Sequence, residues 1–418
     1  MIMKNIFKTV ICVLICASIS LSGSFESGDL TYAKQKTFTR SGIVYAVVTK
    51  PEHGDWGSVS VVGVDENAEP GQLFEICLPS TVKNGKSVYR VRSVEPLAFS
   101  CRSGIHRVII QDEMEEIGSA AFYKCTDLEE IFLPAGVSKI GSHCFGGCPS
   151  LVSIAVSNMN GSFVSDGTVL YSKDGKTLIS APGVCGEYGV KNGVETIGAG
   201  AFDSNTSITG IKLPGSVKTI EESAFYGCIS LKSIDLCNTE SIGSEAFAGS
   251  GLTSITIPAS TKKIKGNPFV FCNKLTSVKV SKKNTSFKSS GGLLLNSSGK
   301  TVISGNACVD GFVFPSGVKS INSLAFAGNE RIGSIVIPKS IKNIGEGAFS
   351  YCTGLGKVRF LSRKTKLFVP DDDSFGIFFN TNYDLIIEVP YSETGFEKDS
   401  FEEHILLNGP EGLIITTY

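Results

Sequence analysis

Apolar positions recur along most of this chain in one register. The pattern Ile-x-x-x-Ala-Phe appears nine times, with its aromatic at Phe99, Phe122, Phe145, Phe202, Phe225, Phe247, Phe269, Phe326 and Phe349. Five positions before each stands Val94, Ile117, Ile140, Ile197, Ile220, Ile242, Ile264, Ile321 or Ile344. The Phe-to-Phe spacings are 23, 23, 57, 23, 22, 22, 57 and 23. A unit of 22 to 23 residues is too small to bury its own apolar face, so such units must stack and share one core. After each Phe a second pattern follows, as in Leu128, Ile131, Leu133 and Pro134, or Leu252, Ile255, Ile257 and Pro258. Alternation of this kind predicts a short, half-buried strand. The proline ends it, because proline has no N–H to give to a ladder.

Each 57-residue gap resolves as 34 plus 23: Ile154 to Tyr188 to Ile211, and Val278 to Phe312 to Ile335. Each therefore hides one more coil, carrying 11 extra residues. The extra segments match one another, Phe163 through Ile179 and Phe287 through Ile303, and the first turns at Asp174-Gly175. That dipeptide between apolar runs predicts a hairpin. The two copies lie 124 residues apart, as do Phe145 and Phe269, or Phe202 and Phe326, so the array is a tandem duplication of five coils. The predicted rungs are Ile76, Val108, Ile131, Ile154, Tyr188, Ile211, Ile234, Ile255, Val278, Phe312, Ile335, Val358 and Ile387. Stacked at about 4.8 Å, they would make a continuous parallel sheet about 60 Å long. Helix should be sparse, since no long stretch holds a 3.6-residue period.

The run from Ile117 through Phe122, Cys125, Leu128, Ile131 and Leu133 to Pro134 resembles the BspA-like leucine-rich repeat of bacterial surface proteins. The segment Leu78 to Val91 is similar to the start of that repeat, and the likeness extends over about residues 40 to 390. The resemblance implies a leucine-rich-repeat solenoid, a right-handed, β-rich superhelix. About 13 short parallel strands would line its concave face, with two inserted β-hairpins and little helix. It implies adhesion in some members and no catalytic site. The expected organisation is a signal peptide and flexible N-terminus over 1–33, an N-terminal cap and first coil over 34–92, the repeat array over 93–360, and a C-terminal cap over 361–418.

Composition agrees with repetition and many turns. Of 418 residues, 46 are Gly and 19% are charged. Lys and Arg total 39 against 40 Asp and Glu, a net charge of -1 that argues against a general nucleic-acid binder. Lys4 and Lys8 precede the apolar run Thr9 to Leu21. That is the form of a secretory leader, too short to span a bilayer, so a secreted or cell-surface location is expected.

Of the 13 Cys, five stand three residues after a repeat Phe: Cys125, Cys148, Cys228, Cys272 and Cys352. Asn205, Ser250 and Asn329 share that slot. A slot open to Cys, Asn and Ser suits a small inward side chain, so these thiols are expected buried and reduced. No metal or cofactor is expected, and none of His53, His106, His143 and His404 falls in a triad or ligand pattern. His143 is read as an outward position. Gly175-Lys176-Thr177 and Gly299-Lys300-Thr301 mimic the end of a phosphate loop, but Leu170 and Leu294 stand where its first glycine must be. Both are read as hairpin turns.

The chemistry that remains is binding. Strand residues that alternate with core positions point outward, and the candidate contacts are Arg107, Ile109, Glu130, Phe132, Lys212, Asp235, Ser254, Thr256, Ser277, Lys279, Lys282, Lys283, Lys357 and Arg359. Residues 262–288 hold eight Lys and no acid, while 371–403 hold ten acids and Lys398 alone. The expected partner is a protein or glycan on a host or microbial surface, met by a monomer, with no nucleic acid and no transmembrane span. The alternative is a structural spacer or assembly module of the cell surface. An enzyme is not expected.

Overall fold

The computed structural model describes residues 36–52, 55–65, 74–370, 374, 376–391, 400–410 and 412–418. The expected leader (1–33), His53 and part of the acidic stretch lie outside the described residues. Among the described residues the chain is a β-solenoid with one helix, Ser400–Asn408. Twelve of the thirteen predicted rungs lie in strands, and Ile414–Thr417 adds one more. The chain forms two compact units. The first holds the described residues up to Gly186, with Gly193–Ser207 and Glu222–Phe225. The second holds Glu187–Asn192, Ile208–Glu221 and the described residues from Tyr226 on.

Each coil of the first unit supplies a four-residue strand and a two-residue strand to two separate parallel ladders. The long-strand ladder stacks Glu75–Leu78, Arg107–Ile110, Glu130–Leu133 and Ser153–Val156 in the register Ile76, Val108, Ile131, Ile154. The short-strand ladder stacks Val94, Ile117 and Ile140, the first residues of the repeat pattern. A cap precedes them. Strands Thr37–Arg40, Ile43–Thr49 and Gly57–Val64 pair antiparallel, and the last runs parallel to Ser87–Val94.

Between the ladders each coil makes a tight turn around its buried Phe. The rings of Phe99, Phe122 and Phe145 stack at 5.0 and 5.9 Å, and Phe202 stacks on Phe225 at 4.9 Å. The backbone enters and leaves this turn through left-handed residues two before and two after the Phe. Leu97, Ala120 and His143 have φ near 62°, 53° and 58°, and Cys101, Lys124 and Gly147 follow at 58°, 55° and 67°. Glycine, which alone adopts this conformation without strain, fills some of these positions, as at Gly147 and Gly200, while other coils bear the strain with a side chain in place. His143 departs from its outward reading: in this turn its side chain points inward and is buried against Asp203.

The slot three after Phe stitches coils together. Cys125 donates its S–H to the Phe99 carbonyl (3.1 Å) and Cys148 to that of Phe122 (3.0 Å). Cys272 and Cys352 repeat this on Phe247 and Phe326 in the second unit. All five slot cysteines are buried, and none forms a disulfide. Asn205 and Asn329 follow the coils without a Phe. There the longer amide reaches several carbonyls, Ala181, Pro182 and Val184 for Asn205, and Gly305 and Cys308 for Asn329.

Both inserts fold as antiparallel meanders. In the first, Phe163–Ser165, Leu170–Ser172 and Thr177–Ser180 pair in order, and the third strand joins the short-strand ladder beside Thr196–Ile197. In the second, Phe287–Ser290, Leu293–Asn296 and Thr301–Ser304 do the same beside Ser320–Ile321. The two expected hairpins are thus present, with Gly175 and Gly299 at their turns, each at φ 71°.

The second unit differs from expectation in one respect. Its long strands pair in separate groups: Ile208–Lys212 with Ser233–Ile234, Ser254–Ile257 with Ser277–Val280, and Ser334–Ile337 through Lys357–Phe360 and Ile386–Val389 to Ile414–Thr417. One continuous sheet does not form. Asp235 stops its strand early by accepting the Cys237 N–H at 2.9 Å in an Asx turn. Phe312 lies in no strand. It follows Gly311 (φ 77°) and packs on Phe326 at 5.6 Å.

Candidate binding face

The long-strand ladder of the first unit presents two outward rows, fixed by register. One row runs Glu75, Arg107, Glu130, Ser153, and the other Cys77, Ile109, Phe132, Ala155. Arg107 sits between two carboxylates, 3.6 Å from Glu75 and 3.2 Å from Glu130. All three side chains are about half exposed. Such pairs add about 0–1 kcal/mol to stability, so their main effect is to hold Arg107 in place. In the second row Phe132 is 41% exposed beside half-buried Ile109. A shallow depression of about 220 Å³ follows both rows, bounded by Arg107, Ile109, Glu130, Phe132, Ser153 and Ala155.

A third line of side chains, just before the strands, extends this surface. Phe74, 57% exposed, stacks on His106 with ring centroids 4.4 Å apart. His106 Nδ1 lies 3.0 Å from Glu129. The sequence reading missed this cluster, although a signal for it exists. Residues 23 apart sit side by side on adjacent coils, so His106 and Glu129, Arg107 and Glu130, Arg92 and Glu115, and Glu116 and Lys139 all pair.

The remaining candidates lie in the second unit. Lys212 pairs with Glu187 at 3.1 Å. Asp235 is in the Asx turn, outside the ladder. Ser254 stands beside Ser277, and Thr256 beside Lys279. Lys282 and Lys283 are exposed in the turn after that strand. Lys357 and Arg359 close the set of candidates, and neither stands without a partner. Both face Glu388, at 2.8 and 3.6 Å, and Arg359 also covers the Tyr418 ring at 3.9 Å.

Among the described residues no cluster of three or more His, Cys, Asp or Glu is placed to hold a metal. No described helix is long and apolar enough to cross a membrane. Burial pushes the Cys125 and Cys352 thiols up to about 12 and that of Cys272 to about 11, so they stay protonated and unreactive.

Two parallel ladders, a buried Phe column and a 22-to-23-residue period define a leucine-rich-repeat solenoid. The family is specific: the BspA type leucine rich repeat region matches residues 72–167, 191–291 and 299–406 in six copies, and the chain belongs to that family. Solved structures with a similar fold include a leucine rich cell surface protein from Faecalibacterium prausnitzii A2-165. It is 21% identical, with 91% of this chain and 95% of that one covered and a TM-score of 0.44. A leucine-rich repeat protein from Bacteroides ovatus is 24% identical, over 91% and 99% of the two chains, at a TM-score of 0.36. The pneumococcal vaccine antigen PcpA is 16% identical, over 92% and 99%, at 0.31. A comparison with curated proteins gives no match.

Proposed function

We propose that this is a secreted or cell-surface bacterial protein that binds a protein or glycan of host or microbial surfaces through its long-strand ladder. The observation that carries the reading is the Ile109–Phe132 row, two apolar side chains at fixed register beside the Glu75–Arg107–Glu130 row. An exposed aromatic in a preformed depression is the usual anchor of a protein contact. Because the strands are already paired, binding costs little ordering. The charged row sets orientation and association rate more than affinity. Secretion is supported by Lys4, Lys8 and the apolar run Thr9 to Leu21.

The test is retention of the purified chain on panels of host matrix glycoproteins and bacterial surface polysaccharides. The parent should be retained by at least one panel member. Phe132→Asp should weaken that retention about tenfold or more at an unchanged unfolding midpoint. Equal retention of parent and variant moves the contact off this face. A parent retained by neither panel supports the spacer role instead.

A further inference from the structure

Residues 124 apart occupy the same place in the two copies, and one corner shows it in detail. Asn160 donates its amide to the Pro134 and Val137 carbonyls at 2.7 and 2.9 Å, and Asn284 does the same to Pro258 and Thr261 at 2.7 and 2.9 Å. Both asparagine oxygens then accept the N–H groups two and three residues on. The backbone solution is one and the same, and the outer surfaces are opposite. Ala155, Asn158, Met159 and Val164 in the first copy correspond to Lys279, Lys282, Lys283 and Lys288 in the second. Met159 is 78% exposed and Val164 40%, while the four lysines are all exposed. Residues 129–166 hold Glu129, Glu130 and Asp166 against Lys139, whereas 253–290 hold eight lysines and no acid.

The fold does not require these lysines, since the first copy builds the same corner without them. They also repel one another. Elsewhere this chain sets carboxylates against its cations, as at Lys212–Glu187 and Arg92–Glu115. Lys279, Lys282, Lys283 and Lys288 have no ion-pair partner among the described residues. They converge. Lys279 is on the exposed side of Ser277–Val280, Lys282 and Lys283 are in the next turn, and Lys288 is on Phe287–Ser290, which is tied back by the bond from Val280 N to Ser289 Oγ (3.2 Å). Asn284 fastens that turn to residues 258–261, beside Lys262 and Lys263.

We propose that this corner binds a sulfated or carboxylated polysaccharide. Hydrated point charges spread over adjacent coils suit a polymer with repeating anionic groups, while the forked geometry that grips a single phosphate is missing from an all-lysine set. Ser254, Thr256 and Ser277 on the neighbouring strands offer hydroxyls to sugar oxygens. A single-stranded nucleic acid would add base stacking on exposed rings. The aromatics of this segment are Phe269 and Phe287, both buried, and Phe271, which is half-buried. The site lies in the second unit and does not use the Ile109–Phe132 row, so the two readings fail independently.

The test uses the full chain with a heparin dodecasaccharide as probe, and a neutral dextran fragment and oligothymidylate as comparison ligands. The parent should bind the heparin fragment at low salt, release it as salt rises, and ignore dextran. Changing Lys279, Lys282, Lys283 and Lys288 together to Gln should weaken binding about tenfold or more. Installing Ala155→Lys, Asn158→Lys, Met159→Lys and Val164→Lys in the first copy should raise the stoichiometry to two fragments per chain. Heparin binding that is absent, insensitive to salt, or unchanged in the glutamine variant overturns the proposal. Oligothymidylate binding as tight as heparin overturns the choice of a glycan.

Discussion

The Nδ1 atom of His143 lies 2.5 Å from Oδ2 of Asp203, sixty residues further along the chain. Both side chains are almost wholly buried, 3% and 1% exposed. Ser204 Oγ donates to the other carboxylate oxygen at 2.7 Å. The link joins the coils on either side of the first inserted coil, which has no repeat Phe. In the second copy the same slot holds Asn267, whose amide reaches Leu324 O and Asn306 Oδ1, each at 2.7 Å. Both copies fill one gap with a buried polar bridge, built from different residues.

Removing one partner leaves the other buried and unpaired, so Asp203→Ala should destabilise the first unit by about 3 kcal/mol. The double change His143→Asn with Asp203→Ala places at these two positions the residues of the second copy, Asn267 and Ala327, with Leu324 O replaced by the equivalent Gly200 carbonyl and Pro182 standing where Asn306 does. It should be less damaging than Asp203→Ala alone. Urea unfolding of the parent, both singles and the double supplies the cycle, and a double no better than additive would mean the two side chains do not act as a pair.

The imidazole also fixes Gly200. A Cβ there would lie 2.6 Å from His143 Nδ1, at a φ of +65°. Gly85 has nearly the same φ, +60°, with nothing within 4 Å of its would-be Cβ. Gly85→Ala should therefore cost only the left-handed strain of about 1 kcal/mol, and Gly200→Ala clearly more. Equal shifts in unfolding midpoint would sink the steric account.

Core and surface phenylalanines should separate cleanly. Phe122 is fully buried between Phe99 and Phe145. Its truncation to Ala should cost about 3–5 kcal/mol. Phe132→Ala, on the outward row, should stay within about 0.5 kcal/mol. Chemical unfolding followed by circular dichroism reads both.

The buried thiols predict an alkaline limit. Burial raises Cys125 and Cys352 from 9.0 to about 12 in the folded chain. Between those values the unfolded chain holds fewer protons than the folded one, so stability falls as pH rises through that window and is undiminished below it. The urea midpoint should drop as pH rises above 9.0 toward about 12, and less steeply in a variant with both thiols changed to Ala. At neutral pH, Cys77, Cys101 and Cys185 are exposed and should label quickly. The seven buried cysteines should label only after unfolding.

The repeat made the rungs, the inserted hairpins and the thiol slot readable, because each rests on a position that recurs. His143 was not readable in the same way. It stands at a variable position of the pattern, and only the left-handed turn directs it inward. The ion pairs of the candidate face were half legible: Arg107 and Glu130 are one coil apart, but Glu75 pairs with Arg107 across an irregular first coil of 32 residues. Phe378 continues the ring column beyond Phe349 at 5.7 Å, yet its spacing of 29 hides it from a search at 22 or 23. Glu388 sits against both Lys357 and Arg359 from a segment with no repeat to predict its register.

Successive coils that carry a repeat Phe in the first unit offer one another the same acceptors in the same places. Phe99 N binds Ala121 O and Phe122 N binds Cys144 O, with the cysteine bonds alongside. A coil can therefore be gained or lost by in-frame recombination while the seam on either side closes unchanged. Length is heritable in steps of one coil, and each step needs no new folding solution. Only the terminal closures and the outward side chains have to be reinvented, which leaves those side chains free to diverge after every duplication.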